Sequence, residues 1–331
     1  MKYVTRKRIL HFSSARTTRL WLKNIKLKRH DNLSLYKFLK IFFFNISEDE
    51  ILDRANAVAF NFILAIFPAI IFLFTLIPYI SHYFPEITTG TIMKFMSEII
   101  PDSMYSVASS TILDIVSKHR GGLLTFGFLL AAYLSTNGMM SLMRAFNACY
   151  RTVEKRNWLK ARLTATGLTL MLSVVIISAV ALLIAGQFGL NYATEHLEQF
   201  SQMNLDQYTI YLFFVLRFVI VFVVFFIAIS SIYYFAPAVH YNWSFFSIGS
   251  TIATLAILAL SYGFSYYVSN FSSYNKVYGS IGVLIALMAW VQLVTIILLF
   301  GYEINASLHY ARKMEAIETF QRTQRVVKSF R

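Results

Sequence analysis

Six apolar runs dominate the chain, at 57–80, 122–146, 163–186, 210–235, 245–268 and 281–301. A helix needs about 20 mostly apolar residues to cross a hydrocarbon core of roughly 30 Å, and each run reaches that length. In water such runs would need a charged shell to keep their core dissolved. That shell is missing, since 57% of the 331 residues are hydrophobic and only 14% are charged, against about 25% charged in an average soluble domain. The runs are near-continuous, without the every-second-residue alternation of a membrane barrel, so the spanning elements are helices. The expected fold is all-α: a polytopic membrane protein of six transmembrane helices.

Charge in the connecting segments sets the orientation. The first thirty residues hold ten Lys or Arg and no acid, with no apolar core of a cleavable signal peptide. The second loop carries Arg151, Lys155, Arg156, Lys160 and Arg162 against Glu154, and the tail adds Arg312, Lys313, Arg322, Arg325, Lys328 and Arg331. The third loop has Glu195, Glu198 and Asp206 with no Lys or Arg. Positive loops stay in the cytoplasm, so the expectation is an even number of spans with both termini cytoplasmic. The net charge of +14 then faces the anionic inner leaflet, and membrane lipids, not nucleic acid, are the expected partners. The chain divides into a basic cytoplasmic N-terminal segment (1–46), a transmembrane domain (47–309) and a basic cytoplasmic tail (310–331).

Amphipathic pieces lie outside the runs. Residues 33–46 place Leu35, Phe38, Leu39 and Phe42 on one stripe with Lys37 and Lys40 off it, which predicts a helix lying on the inner leaflet. Ser47 followed by Glu50 reads as a capping box that starts the next helix, which enters the membrane through Asp53 and Arg54. Between the first two spans, Ile92, Phe95, Met96 and Ile99, and then Ile112, Ile115 and Val116, form stripes of two outer helices, either a lid over a cavity or plain packing.

Polar groups inside the spans are the candidate functional residues. Pro68 deprives the Leu64 carbonyl of its helical donor, and lipid cannot replace it. Asn61, Ala65 and Pro68 share one helix face, so that face looks inward. Further polar stripes run through Asn137, Ser141 and Arg144; Thr166, Thr169 and Ser173; Ser247, Thr251, Thr254, Ser261 and Ser265; and Gln292, Thr295 and Glu303. They either line a polar pathway or bond their own helices and pack. The pathway candidates are Asn61, Pro68, Asn137, Thr254 and Gln292, because amides cost more to bury unpaired. The charged candidates are Arg217, Arg144 and Glu303, since an ionisable group within a span is expensive to keep there. Arg144 and Glu303 sit near the inner mouth, where they either pair with each other or serve as a coupling site.

Four stretches carry a resemblance: "ANAVAFNFILAIFPAIIFLFTLIPYI" at 55–80, "YYFAPAVHYNW" at 233–243, "YNKVYGSIGVLIALMAW" at 274–290 and "LLFGYEINASL" at 298–308. On these the chain resembles the YihY/virulence factor BrkB family of bacterial inner-membrane proteins, over about residues 45 to 312. The resemblance implies a six-helix bundle in the cell inner membrane, with export or lipid transport suggested as its activity. Where family members often show two tyrosines and a serine in the first span, this chain has Phe60, Asn61 and Ala65. Family members were once labelled ribonuclease BN, a label these residues can test. A nuclease groups carboxylates or histidines around metal ions. The seven His (His11, His30, His82, His119, His196, His240 and His309) are scattered, with no His-x-His or His-Glu-x-x-His spacing. The expectation is therefore no catalytic residue, no metal and no cofactor. Two functions remain: a flippase-like carrier of an amphiphilic or anionic solute, or a non-transporting scaffold that binds anionic lipid or protein partners.

Overall fold

The computed structural model describes residues 20–27, 33–48, 50–80, 120–197, 206–238, 244–270 and 280–329, with isolated positions 90, 93, 109, 113 and 114. Among them the fold is helical apart from a short antiparallel pairing of β1 (Lys26–Leu27) with β2 (Leu33–Ser34). The helices are α1 (Leu35–Glu48), α2 (Ile51–Ile80), α3 (Gly121–Cys149), α4 (Trp158–Leu197), α5 (Asp206–Phe235), α6 (Ile248–Asn270) and α7 (Ser280–Ser329). The apolar runs fall on α2 to α7 in order, the fifth beginning three residues before α6. Among the described residues, five helical stretches are long and apolar enough to cross a membrane: Ile51–Leu76, Gly121–Cys149, Val215–Phe235, Ile248–Tyr267 and Leu284–Glu318. The run at 163–186 lies in the 40-residue α4, whose side chains are described only in part. The outer helices expected over 88–120 fall largely outside the described residues.

Helices that follow one another in sequence pack side by side from α2 to α7, and α7 closes the ring on α2. One core cluster gathers Ile51, Ala55 and Val58 from the start of α2 and Met139, Leu142, Phe146 and Cys149 from the end of α3. Ala161, Ala165 and Leu168 join it from the start of α4, Ile229, Ile232 and Tyr233 from the end of α5, Ala253 and Ile257 from α6, and Leu299 and Tyr302 from α7. Starts and ends alternate, so successive helices run in opposite directions. The core therefore lies at the end that carries the basic segment 150–157. Farther along, apolar stripes face outward, as at Leu163, Leu170, Val174 and Ile177 of α4. Such stripes are stable against hydrocarbon, where every backbone polar group is already bonded within its helix.

One local expectation changes. Ser47 does not cap a helix: it lies in the last turn of α1 and its hydroxyl donates back to the Phe44 carbonyl at 2.8 Å. The chain turns instead at Glu50, with a left-handed φ of 46°, before α2 begins at Ile51. The helix expected within 33–46 forms as α1, and it also packs on α7. Phe38 and Ile41 pack against Leu33, Leu308 and Ala311, and Lys37 Nζ pairs with Glu318 of α7 at 3.0 Å. The buried residue of α1 is the polar Asn45, while Phe43 and Phe44 are exposed. Asn45 lies seven residues after Phe38 on the same side of α1, and no periodicity within 33–46 encodes its partner on α7.

Candidate functional site

Polar side chains converge on one segment of α7, residues 298–308. Gly301 and Gly249 allow α7 and α6 to touch through their backbones: a Cβ at Gly301 would stand 2.5 Å from the Tyr233 hydroxyl and 2.7 Å from Ala253 Cβ. The Tyr233 hydroxyl donates to the Leu298 carbonyl at 2.7 Å. Tyr302 stacks on Phe146 with ring centres 4.2 Å apart. Asn305 Oδ1 accepts the Gly249 N–H at 2.9 Å and its Nδ2 donates to Ser247 Oγ at 2.8 Å. The start of α6 is thus capped twice. Ser247 and Ser250 bond each other's backbone N–H groups, and Asn305 reaches in from α7 to take another donor that a helix start leaves unsatisfied.

Glu303 is fully buried in the same segment. Its Oε1 accepts from Asn45 Nδ2 at 2.8 Å and from Ser307 Oγ at 2.7 Å. A carboxylate with its own hydrogen-bond donors is the arrangement that makes burial of such a group tolerable. Beside this cluster the connection from α3 to α4 is pinned as well. Arg156 grips Glu154 with two nitrogens, at 2.7 and 2.8 Å, and also donates to the Ala236 carbonyl at the end of α5 at 2.8 Å. Asn147 donates to Glu154 and accepts from Ala238 N–H, both at 2.8 Å. The Arg156 guanidinium holds the Glu154 carboxyl below its usual range, against the opposing pull of partial burial.

Arg54 stands on the core side of α2, between buried Ile51, Ala55 and Val58. Its Nη1 is buried and takes no hydrogen-bond partner. An unsatisfied nitrogen on a charged group costs about 1–3 kcal/mol or more, and an anion is the species that would remove the cost.

The residues expected from sequence lie as follows. Asn61 is half-buried and donates to the Ala57 carbonyl of its own helix at 2.7 Å. Pro68 is buried, with α2 continuous through it. Asn137 accepts from Arg162 Nη1, and the guanidinium also lies over the Tyr133 ring at 4.5 Å. Thr254 is fully buried and donates to the Ser250 carbonyl at 2.7 Å. Thr166, Thr169, Ser173, Thr251 and Thr295 likewise bond the carbonyl one turn earlier. Gln292 shares the α7 face of buried Thr295, Leu299 and Tyr302, yet is exposed along with Met288 and Ile285. Its Nε2 donates to Asn56 Oδ1 at 2.8 Å. Arg217 is exposed on α5 among exposed Val215, Leu216, Phe218 and Val219. Arg144 and Glu303 do not come together as a pair. Arg144 is exposed and stands about 200° round α3 from Phe146, the residue that meets Tyr302.

Sequence reasoning missed Asn45, Arg54, Asn56, Asn305 and Ser307. The stretch "LLFGYEINASL" contains two of them and was the available signal, because it packs Gly, Glu, Asn and Ser into three turns of an otherwise apolar helix. Among the described residues no group of three or more His, Cys, Asp or Glu could hold a metal ion.

The profile of the virulence factor BrkB family matches residues 42–326. The chain is 31% identical over 277 residues to the ribonuclease-like protein YfkH of Bacillus subtilis (strain 168), covering 84% of this chain and 97% of that one. It is 21% identical over 282 residues to a UPF0761 membrane protein of Tolumonas auensis, covering 82% and 85%. A UPF0761 membrane protein of Actinobacillus pleuropneumoniae is 22% identical over 290 residues, covering 86% and 98%. No solved structure is significantly similar. With the matched profile spanning α2 to α6 and α7 as far as residue 326, the chain belongs to the virulence factor BrkB family and is an integral membrane protein.

Proposed function

We propose that this protein is a flippase-like carrier of an anionic amphiphile in the bacterial inner membrane, crossing it six times with both termini in the cytoplasm. The observation that carries the reading is Arg54: a cationic nitrogen buried at the basic end of the bundle with no hydrogen-bond partner. An anion arriving from the inner leaflet would complete it, and the basic segments at that end raise the local concentration of such anions. Pro68, deeper in α2, marks where that helix can bend during passage. In this reading Asn61 and Asn137 line the route, Thr254 supports it, and the chain carries out no covalent chemistry.

The test is reconstitution into vesicles containing fluorescent phosphatidylglycerol, with dithionite bleaching to report exchange between leaflets. Faster exchange than in empty vesicles, abolished by Arg54→Gln, is expected. Exchange no faster than in empty vesicles overturns the reading. The competing reading, a scaffold, draws on Met314, Ile317 and Phe320, which are exposed on one side of α7 beyond the core among basic residues. Truncation after residue 311 that abolishes the cellular phenotype but leaves exchange intact would favour the scaffold. Cysteine labelling from each side of intact cells tests the six-span topology.

A further inference from the structure

Two exposed apolar stripes rise from the Asn56–Gln292 bond. On α2, Asn56 is followed by Phe60 (58% exposed), Leu64 and Phe67, spaced by three and four residues on one face. On α7, which runs the opposite way, Gln292 is preceded by Met288 (40% exposed) and Ile285. Below Gln292 the same face of α7 is closed, with Thr295, Leu299 and Tyr302 buried. The helices therefore touch at an amide pair, and above it they present a groove with apolar walls and a polar floor.

The floor lies toward the inner side of the membrane. Gln292 is twelve residues from the start of α7 at Ser280, about 18 Å along the helix at 1.5 Å per residue, which leaves about 12 Å to the inner headgroups across a core of roughly 30 Å. Asn56 is five residues from the start of α2 at Ile51, about 7.5 Å in by the same rise. One bond joins the amides, and Asn56 Nδ2 and Gln292 Oε1 take no other hydrogen bond among the described residues. One unused donor and one unused acceptor thus stand beneath the inner headgroups, at the foot of an apolar wall.

We infer that the α2–α7 groove binds an amphiphile whose hydroxyl-bearing, phosphate-containing head rests on Asn56 and Gln292 while its acyl chain lies along Phe60, Leu64, Phe67, Met288 and Ile285. This rests on the carrier reading for its purpose but not for its geometry. The phosphate accepts from Asn56 Nδ2 and a head-group hydroxyl donates to Gln292 Oε1. A head with acceptors alone meets half of that demand. A polar position beneath the inner headgroups, opening onto an apolar wall, matches the head and the acyl chain of a lipid.

The experiment uses the full chain in detergent with Phe60→Cys as a reporter, since the native Cys149 is buried and stays unlabelled. Short-chain phosphatidylglycerol should slow maleimide labelling of that cysteine at least fivefold, and short-chain phosphatidylcholine should slow it less. Adding Asn56→Leu and Gln292→Leu should remove the protection. Labelling indifferent to both lipids, or protection unchanged in the triple variant, overturns the inference. A cysteine blocked without lipid in a protein that sediments as a dimer also overturns it, because a second copy then covers the groove. Protection without exchange in vesicles would sink the carrier and leave the groove, and exchange without protection would do the reverse.

Discussion

Gly249→Ala tests the close contact between α6 and α7. An added Cβ would stand 2.7 Å from Asn305 Oδ1, with the Gly301 carbonyl oxygen nearer still. Both neighbours are held: Gly301 is helix backbone, and Asn305 is tied to Ser247. Ordinary carbon contacts begin near 3.5 Å, so α6 and α7 must separate by about 1 Å. The Gly249 N–H to Asn305 bond, now 2.9 Å, then stretches beyond hydrogen-bonding range. Overpacking of a dense core costs about 1–3 kcal/mol, and the lost bond adds about 1 kcal/mol.

The total of about 2–4 kcal/mol corresponds to a fall in Tm of roughly 4–8 °C, at about 2 °C per kcal/mol for a large domain. The single cysteine offers the assay. Cys149 is fully buried, so a thiol-reactive fluorogenic maleimide reports its exposure as the detergent-solubilised protein is heated. Gly263→Ala is the control: a Cβ there meets nothing within 4 Å, and the higher helix propensity of alanine should leave the protein unchanged or up to about 1 kcal/mol more stable. If Gly249→Ala melts with Gly263→Ala, the two helices do not touch at this point.

Glu303→Gln keeps an oxygen for Asn45 and Ser307 and should stay within about 1 kcal/mol of the native protein, whereas Glu303→Met strands two buried donors and should lose about 2–4 kcal/mol in the same thermal assay. Tyr233→Phe removes the bond to the Leu298 carbonyl and should lose about 1 kcal/mol. Glu154 has a lowered pKa in the fold, so its contribution is fully present above the unfolded carboxyl value and is lost as pH falls through the folded one. Glu154→Gln should therefore flatten the acid side of the Tm–pH profile and leave the neutral side parallel to the native curve.

The helices were legible because hydrocarbon imposes length and apolarity on each one separately. Their bends and contacts were less so. Ser47 satisfied the spacing of a capping box, yet its hydroxyl found a nearer acceptor in its own helix. The contact of α1 with α7 includes Asn45 reaching Glu303, 258 residues away, a pairing that no window of sequence contains. Glu303 was visible as an ionisable group in an apolar helix, but Arg144 was the wrong partner to expect. Spacing along α7 locates Glu303, whereas only the rotation of α3 decides which way Arg144 points.

The asparagines of α2 show the same limit at its sharpest. Asn56 and Asn61 are five residues apart, about 140° round a helix, and nothing local separates them. Asn61 lies on the half-buried side and satisfies itself on the Ala57 carbonyl, so the environment is relieved of one donor. Asn56 lies on the exposed side, and among the described residues it is met by Gln292. A half-buried amide that bonds its own helix spends a donor locally and ties no second helix. An exposed amide joined by one bond to a second amide bridges two helices and leaves a donor and an acceptor facing the groove. Sequence alone singled out the asparagine that bonds its own helix and left unremarked the one that reaches a second helix.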